Sequence, residues 1–533
     1  MFSAIRDAWE RALHRKAAGD EKKQLALTRA NSEQAILPIA SVAPQAVPAA
    51  DGEVAELPSR SVTVSKDPVF RVRSARRRAP LLAVSVEDAG KRLQVSDHAV
   101  PQRELTLGLD FGTSCSKIII GDAAAGKSFA IPFHEGVDIE RYLLASRVYE
   151  TDGTYSLVDG PIVHRDLKLS FIDGSKGDNG ERRVVAFLAL AIRRARGWLF
   201  QAHRDVYLGS SIVWRLTIGL PTRQNLDRRL SDRFRYVALA SWYVAGDDGP
   251  VNRSTIDRAL VRAVEERGDS MDVDVQVMPE IAAQIYGFVV SDSFDRLGRN
   301  IYLMADIGSG TVDASLFHVK EEKGRRHAFS FYTSTVEHNG VSNLHRHRGR
   351  WWMKVLQEAE VEPTLIRELD DSMEVTDHDL RIPEDFRDYF DGIAVNGSSV
   401  GSPDDDFFRG VERQVVADTF IRAVRDNQAP QQQLVDVPFY LCGGGSRMRY
   451  YAQLKQRLER PSRNFGVSAT GTPLPVPEDL DVPGVAGDYD RLSVAYGLAW
   501  LDPAWVVETE PMSPIDAAGS PGWRDNYIDK DQL

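Results

Sequence analysis

The stretch LTLGLDFGTSCSKIIIGDAAAGKSFAIPF, residues 105–133, reads as three short strands joined by glycine-containing turns. Its β-branched and alternating apolar residues predict the strands, and its glycines predict the tight turns between them. The stretch NIYLMADIGSGTVDASLFHV, residues 300–319, repeats the order of strand, glycine turn and strand. In both stretches the turn follows an aspartate two residues before a glycine, Asp110 in DFGTS and Asp306 in DIGSGT. The sequence therefore contains one hairpin pattern twice.

Around these two hairpins, predicted strands and helices alternate along the chain. The pattern predicts a long apolar-striped helix at 182–203 and a buried strand that leads into a polar helix at 214–241. It also predicts two units of strand, turn and helix, at 273–290 and 437–458, and a closing helix at 491–501. Residues 350–425 are expected to be mainly helical, with an acidic, irregular insert around Asp370 to Asp406. This alternation predicts an α/β fold.

Length, composition and charge narrow the classes of function. The 533 residues are too many for one core and predict two to four units, and 43% hydrophobic with 27% charged residues is ordinary globular composition. The net charge of −11 argues against nucleic acid or an anionic membrane as the main partner. No apolar stretch approaches the roughly 18–20 residues of a membrane span. The two cysteines, Cys115 and Cys442, form no disulfide or zinc pattern, so we expect a reducing, cytoplasmic location.

The repeated hairpin has the composition of a phosphate-binding turn. Glycine lets the turn direct backbone N–H groups toward a phosphate, and nearby hydroxyls such as those of Thr113 and Ser114 add donors. Two such hairpins facing each other would hold a polyphosphate between them. Because Mg²⁺ keeps several waters and needs few carboxylates, Asp110, Asp306 and Asp313 are candidate ligands through water.

Over residues 104–501 the sequence resembles the superfamily of actin, the seventy-kilodalton heat-shock chaperones and the sugar kinases, and it is closest to the chaperone ATPase domain. LGLDFGTSCSK (107–117) is similar to the family's first phosphate loop, ADIGSGTVDAS (305–315) to its second, and LCGGGSR (441–447) to its adenosine-binding turn. MPEIAAQIYG (278–287) and SVAYGLAWL (493–501) resemble its two connecting helices. One DxGxxT motif often arises by chance, but three glycine motifs and two helices in this order rarely do.

The resemblance implies a two-lobed actin-like ATPase built from duplicated ribonuclease-H-like domains, with a mostly disordered N-terminal extension. Its four parts would be an amphipathic helix and linker at 1–103, a first lobe at 104–298, a second lobe at 299–501 and an acidic tail at 502–533. Residues 2–17 carry a helical apolar stripe that includes Phe2 and Trp9. We expect this short helix either to dock on its own ATPase body or to bind a partner protein.

ATP and Mg²⁺ are the cofactors that the resemblance implies. Asp306 or Asp313 would position the attacking water, Lys168 in RDLKLSFI would reach the γ-phosphate, and Glu280 would orient water or metal. The sequence leaves open an exposed strand-end lysine at Lys168 and a plain helix-N-terminal glutamate at Glu280. The nucleotide-binding residues carried over from the family are Asp110, Gly112, Thr113, Ser114, Lys117, Gly308, Ser309, Gly310, Thr311, Gly443, Gly444, Gly445 and Arg447.

Three other patterns resemble functional motifs. GDAAAGKS at 121–128 matches a P-loop letter for letter, but strand-like FAIPF follows where a helix is required, so a hairpin turn is predicted. HRDLK at 164–168 resembles the catalytic loop of protein kinases. In a kinase this loop comes before the DFG motif, but the DFG of this chain, residues 110–112, lies upstream of it, so a protein-kinase site is excluded. The histidines and arginines between His338 and Arg350 lack partners at metal-ligand spacing and predict a solvated basic helix face.

The implied activity is slow ATP hydrolysis. Only 32 residues follow Leu501, which leaves no room for the peptide-binding domain of the chaperones. We therefore expect a chaperone-like molecular switch that acts through unidentified protein partners. An actin-like, self-assembling filament protein and a small-molecule kinase of the same fold are the alternatives, since fold analogy alone does not rank the three.

Overall fold

The computed structural model describes residues 61–72, 80–84 and 102–505. Within the last range, gaps lie at residues 173, 175–176, 208–209, 222–226, 248, 267–269, 271–272, 323–325, 375–379, 397–401, 463, 481 and 483–484. The amphipathic helix predicted at 2–17 and the tail beyond residue 505 lie outside the described residues. The described residues from 64 to 393 and from 402 to 505 belong to one compact unit. Of a second unit, residues 1–63 and 394–399, the structure describes 61–63 and 394–396.

The described elements alternate as the sequence predicts. The strands are β1 (Ser61–Phe70), β2 (Gln102–Asp110), β3 (Cys115–Asp122), β4 (Lys127–Ala130), β5 (Leu144–Ala145), β6 (Val148–Thr151), β7 (Thr154–Ser156), β8 (Ile162–His164), β9 (Ser211–Leu220), β10 (Val273–Pro279), β11 (Ile301–Ile307), β12 (Val312–Glu322), β13 (Arg326–Glu337), β14 (Phe390–Asn396), β15 (Val437–Cys442) and β16 (Ala469–Gly471). The α-helices are α1 (Leu167–Ile172), α2 (Gly177–Ala202), α3 (Arg204–Tyr207), α4 (Arg228–Gly246), α5 (Arg253–Glu265), α6 (Glu280–Val289), α7 (Val341–Glu358), α8 (Pro363–Met373), α9 (Pro403–Glu412), α10 (Arg422–Arg425), α11 (Arg449–Glu459) and α12 (Ser493–Trp500). A π-helical stretch, Arg413–Ile421, joins α9 to α10.

Two large sheets share one topology. The first has the strand order β10-β9-β2-β3-β4, with β5 added on β3, and the second has the order β13-β12-β11-β15-β16. In each sheet three consecutive strands form an antiparallel meander, β2-β3-β4 or β11-β12-β13. The first strand of each meander also pairs in parallel with a further strand, β9 or β15, and that strand pairs in parallel with one more, β10 or β16. The repeat seen in the sequence as a hairpin therefore extends to a whole five-strand sheet, and the prediction of an α/β fold is confirmed.

Two helices rich in small residues pack between the sheets. The helices predicted at 278–287 and 493–501 are confirmed as α6 and α12. Ile119 of the first sheet, Met304 of the second, and apolar residues of both helices belong to one buried cluster. Gly108 on β2 lets α12 approach closely, since a Cβ at Gly108 would lie 2.4 Å from the carbonyl oxygen of Ala495. The apolar interior is thus continuous from one sheet to the other.

The N-terminal segment interpreted as mostly linker contains one described strand, β1 at Ser61–Phe70. Strand β1 pairs with β14, which lies in the segment predicted to be an irregular insert. Phe70 is buried against Phe390 with ring centroids 5.1 Å apart, and the Arg71 N–H donates to the Tyr389 carbonyl oxygen. Arg71 also pairs with Asp391, 320 residues away in the chain. A strand whose partner is so distant leaves little local signal, because neither strand alternates strongly.

The prediction of a solvated basic helix face is wrong for two residues of α7. Arg348 is fully buried and its guanidinium donates two hydrogen bonds to the carboxylate of Asp404, at 2.6 and 2.8 Å. His345 is buried as well, with Nδ1 at 2.8 Å from the Tyr389 hydroxyl. The carboxylate of Asp404 on α9 and the carbonyl oxygens of Pro383 and Glu384 together compensate the burial of this cation, and the sequence around α7 does not reveal these partners.

In the part of the chain that the structure describes, no helix combines the length and the apolar composition needed to cross a bilayer.

Candidate functional site

A cavity of about 340 Å³ lies where the two hairpins and the turn after β15 meet. Its size is that of a site for a small ligand. Fifteen of the residues singled out from the sequence line it: Asp110, Gly112, Thr113, Ser114, Lys117, Lys168, Glu280, Asp306, Gly308, Ser309, Thr311, Asp313, Gly443, Gly444 and Gly445. The fold therefore brings together residues that are spread over more than half of the chain.

The two hairpin turns face each other at close range. A Cβ built on Gly310, in the turn after β11, would lie 3.1 Å from the Thr113 methyl group in the turn after β2. At Gly112 a Cβ would lie 2.3 Å from the carbonyl oxygen of Cys115, so a side chain there would clash with the turn itself. Glycine is thus required at Gly112 for the turn and at Gly310 for the approach of the second hairpin. Gly310 itself does not line the cavity.

The third turn is held beside Asp306 by the register of the second sheet. Strand β15 pairs parallel to β11 with Cys442 opposite Asp306, so the turn that follows β15 begins next to this carboxylate. Gly443 has a φ of +81°, a conformation that favours glycine, and a Cβ there would lie 2.1 Å from Oδ1 of Asp306. The glycines of this turn leave the carboxylate open to the cavity.

One buried ion pair lies on the first hairpin. Asp110 and Lys117 are opposite each other in the β2–β3 register, and Lys117 Nζ is 2.7 Å from Asp110 Oδ2. Burial and the nearby Arg491 cation both act to lower the pKa of Lys117, but the Asp110 carboxylate outweighs them and raises it. Lys117 is therefore a fixed cation on the cavity wall.

A second buried ion pair joins α1 to α6. Lys168 Nζ is 2.5 Å from Oε1 of Glu280, and both side chains are almost wholly buried. The alternative of an exposed strand-end lysine is therefore wrong, because Lys168 lies on a helix and inside the molecule. Burial raises the pKa of Glu280; the Lys168 cation opposes this rise and the Asp110 carboxylate adds to it.

The carboxyl group of Asp306 has a strongly raised pKa. Burial and then repulsion from Asp110 raise its pKa from 3.8 to about 7, with Glu280 adding to the rise and Lys117 opposing it. Its Oδ2 accepts a hydrogen bond of 3.1 Å from Gln284 on α6. Asp313 is its partner in the β11–β12 register and is buried beside it.

The charges of the wall favour a ligand that combines an anion with a divalent cation. Six carboxylates and three cationic side chains line the cavity, so a bare polyphosphate would meet a negative field. The hydroxyl of Ser114 is buried at the wall and has no hydrogen-bond partner among the described residues, which leaves a donor for a ligand oxygen. Within the described ranges no three His, Cys, Asp or Glu side chains are grouped to hold a metal ion directly. A Mg²⁺ ion that keeps its waters needs fewer protein ligands, and Asp110 and Asp306 could bind it through water. The residues present therefore fit hydrated Mg²⁺ together with a polyphosphate.

Arg447 does not lie on the cavity wall. Its guanidinium donates to Asp488 at 2.7 Å and makes two hydrogen bonds to Asp490, at 2.8 and 2.9 Å. These carboxylates belong to the short 3-10 helix Ala486–Arg491 that precedes α12. The arginine of the GGGSR motif therefore fixes the start of a connecting helix.

Sequence reasoning missed ten residues of the wall. They are Cys115, Glu140, Val341, Ser342, Leu380, Ile382, Met448, Asp490, Arg491 and Val494. Ser342 had a recoverable signal, because it follows Gly340 at the head of a predicted helix and its hydroxyl contacts that of Ser309 at 2.5 Å. Leu380 and Ile382 had none, since they come from the insert whose fold the sequence does not reveal.

The P-loop lookalike forms a hairpin, as predicted. Gly121 and Ser128 are opposite each other on β3 and β4, and no helix follows. Lys127 is exposed and lies outside the cavity wall. In the HRDLK stretch, His164 is paired with Glu150 at 2.7 Å, away from the cavity.

A scan against models of known protein families matched none of them. A search among curated proteins likewise found no significant match to this chain.

Proposed function

We propose that this protein binds ATP together with Mg²⁺ and hydrolyses it slowly, as a chaperone-like molecular switch that acts on partner proteins. The observation that carries the proposal is the pair of matching hairpins, which face each other across one cavity with Asp110 and Asp306 at their bases. Such an arrangement suits a ligand whose phosphates are held from two sides.

We further propose that the two sheets are the cores of two lobes of an actin-like fold. Their identical strand order and direction are what duplicated ribonuclease-H-like domains would have. Helices α6 and α12 pack against each other between the sheets, where a hinge would have to lie. Closure and opening of the lobes about these helices would couple the nucleotide to a surface that partners contact.

Hydrolysis in such a site needs positioning and electrostatic stabilisation, with no covalent nucleophile on the protein. The hairpin amides, Ser114 and Thr113 would bind phosphate oxygens, and Lys168 would balance charge on the γ-phosphate. Asp306 or Asp313, which are opposite each other in the β11–β12 register and both line the cavity, would position the attacking water. Mg²⁺, held through water by Asp110 and Asp306, would supply neutralisation of the phosphate charge.

The test is calorimetric titration of the full chain with Mg·ATP, followed by turnover measurements. We expect saturable binding that requires Mg²⁺, and we expect Asp306→Ala to reduce hydrolysis at least ~10-fold. Asp418→Ala, at an exposed ion pair that does not line the cavity, is the matched control and should leave both binding and hydrolysis unchanged. Absence of binding by the wild-type protein would overturn the proposal, and normal turnover in folded Asp306→Ala would remove Asp306 from the site.

Two further measurements separate the switch from its alternatives. A pull-down with and without ATP should recover different partners if the protein is a switch. Sedimentation of the protein alone on addition of ATP would indicate a filament, and ATP consumption that a small metabolite stimulates would indicate a kinase.

A further inference from the structure

One ion pair joins segments of the two sheets across the cavity. Arg491 Nη1 is 3.3 Å from Oε1 of Glu140, and both residues line the cavity. Glu140 lies in the 3-10 helix Ile139–Tyr142 that follows β4 of the first sheet. Arg491 lies beside the glycine turn of the second sheet, since a Cβ on Gly444 would be 3.9 Å from its guanidinium nitrogens. The pair therefore bridges the wall between the two sheets.

The two partners differ in their surroundings. The Arg491 side chain is 13% exposed, whereas that of Glu140 is 52% exposed. A single contact of 3.3 Å to a carboxylate open to solvent is weak, because water screens it. A largely buried guanidinium that is held by one weak contact can change partner at little cost.

Other contacts fix where the Arg491 side chain begins. The neighbouring carboxylate of Asp490 is occupied by two hydrogen bonds from Arg447, which also holds Asp488. The backbone before Arg491 is thus pinned, and its side chain extends along the glycine turn toward the cavity. The two other cations of the wall are each in a buried ion pair, Lys117 with Asp110 and Lys168 with Glu280.

We propose that Arg491 is a phosphate-binding residue for which Glu140 competes with the nucleotide: the guanidinium exchanges the carboxylate for the polyphosphate chain. This inference rests on the proposed function. Guanidinium binds phosphate oxygens through paired, charge-assisted hydrogen bonds, which are stronger than its single contact with Glu140. Because Arg491 lies two residues before α12, the exchange ties the phosphate chain to a helix that packs on the first sheet and on α6.

The experiment uses calorimetric titration of the full chain with adenosine, Mg·ADP, Mg·ATP and Mg·tripolyphosphate. Arg491→Met should weaken Mg·ATP and Mg·tripolyphosphate binding by about tenfold or more, the usual effect of losing a charge-assisted contact. Glu140→Gln should tighten the same ligands about two- to fivefold, because it removes the competitor. Adenosine should bind both variants as it binds the wild type. Arg215→Met breaks an exposed ion pair with Asp274 elsewhere and is the matched control.

Opposite effects of the two variants would not arise from a merely structural ion pair, which both variants would break alike. Weakening of all ligands in both variants, adenosine included, would overturn the inference. So would Arg491→Met with wild-type affinity for Mg·ATP. If Arg491→Met does not fold, Arg491→Lys replaces it, because lysine keeps the charge and loses the paired hydrogen bonds. The affinity of Arg491→Lys for Mg·ATP and Mg·tripolyphosphate should be lower than that of the wild type, by less than the tenfold expected for Arg491→Met. Failure of the proposed function is distinct, because the wild-type protein would then bind none of the four ligands.

Discussion

Gly497 on α12 is packed backbone to backbone against Ala283 on α6: a Cβ at Gly497 would lie 1.8 Å from the carbonyl oxygen of Ala283. No side chain fits between the two helices at this point, so their separation is set by the main chain. Gly108 on β2 allows a close backbone contact on another side of α12, at Ala495. The helices that we propose as the hinge therefore pack without intervening side chains at their crossing.

The first prediction follows from this contact. Gly497→Ala should destabilise the protein by about 1–3 kcal/mol or more, because the added methyl forces α6 and α12 apart and a backbone cannot yield as a side chain does. The measurement is the midpoint of denaturant unfolding. Gly246→Ala is the control at a helix position with no atom within 4 Å of the new Cβ, and it should be neutral or slightly stabilising. Equal effects of the two variants would show that the close crossing is not a constraint.

Local patterns predicted those parts of the site that are built from contiguous residues. The hairpins after β2 and β11 and the turn after β15 each carry their glycines and polar groups within a few residues. The small residues of α6 and α12 likewise indicate that these two helices pack closely. The register of the strands then places Asp110 opposite Lys117 and Asp306 opposite Asp313, as a hairpin must.

What the sequence did not reveal are pairings between distant segments. Strand β1 pairs with a strand about 320 residues away, and the buried Arg348 is held by Asp404 of another helix and by the carbonyl oxygens of Pro383 and Glu384. Arg447 was assigned to the nucleotide from its motif, but the carboxylates that engage it lie on a separate segment. Such outcomes depend on which charges the fold brings together, and spacing along the chain does not encode that.

The second prediction concerns the buried pair of Lys168 and Glu280. Lys168→Met should lower the free energy of unfolding by about 3–5 kcal/mol, because it leaves Glu280 buried without its cation. The double variant Lys168→Met/Glu280→Gln should recover much of that loss, since no charge is then stranded. Denaturant unfolding of the single and double variants gives the coupling. Arg215→Met, which breaks an exposed pair, should cost less than about 1 kcal/mol. A Lys168→Met cost as small as that control would contradict the prediction.

The third prediction uses the raised pKa of Asp306. An acid whose pKa is higher in the folded than in the unfolded state binds its proton more tightly when folded. The folded protein therefore loses stability as the pH rises from about 4 to about 7, by at most about 1.4 kcal/mol per pH unit from this group. Asp306→Asn lacks this group. The stability of the variant relative to the wild type should thus increase across that window and level off above it.

Denaturant unfolding of both proteins between pH 5 and 8 makes the comparison. Parallel curves would mean that the pKa of Asp306 is not raised in the folded state.

The same carboxyl group should make the binding of Mg·ATP depend on pH. A divalent cation favours the ionised carboxylate, so the wild-type protein should bind Mg·ATP more tightly at pH 8 than at pH 6 and should release protons on binding. Calorimetry in two buffers of different ionisation enthalpy detects that release.

The fourth prediction separates the hairpin turn from a true P-loop. Lys127→Ala should leave the affinity for Mg·ATP within about threefold, under ~0.7 kcal/mol, because Lys127 is exposed and outside the cavity. The measurement is calorimetric titration beside the wild type. Abolished binding in a folded variant would place the nucleotide at residues 121–128 and overturn the site at the two hairpins.

The fifth prediction tests whether β1 belongs to the fold. Phe70 is 6% exposed and its ring lies 5.1 Å from that of Phe390, whereas the neighbouring Val69 is 41% exposed. Phe70→Ala should therefore lower the free energy of unfolding by about 3–5 kcal/mol, through lost burial and the cavity that remains. Val69→Ala, one position along the same strand, should change it by no more than about 0.5 kcal/mol. Denaturation midpoints of the two variants give the answer. Equal, small effects of the two variants would mean that residues 61–72 contribute little to the stability of the fold.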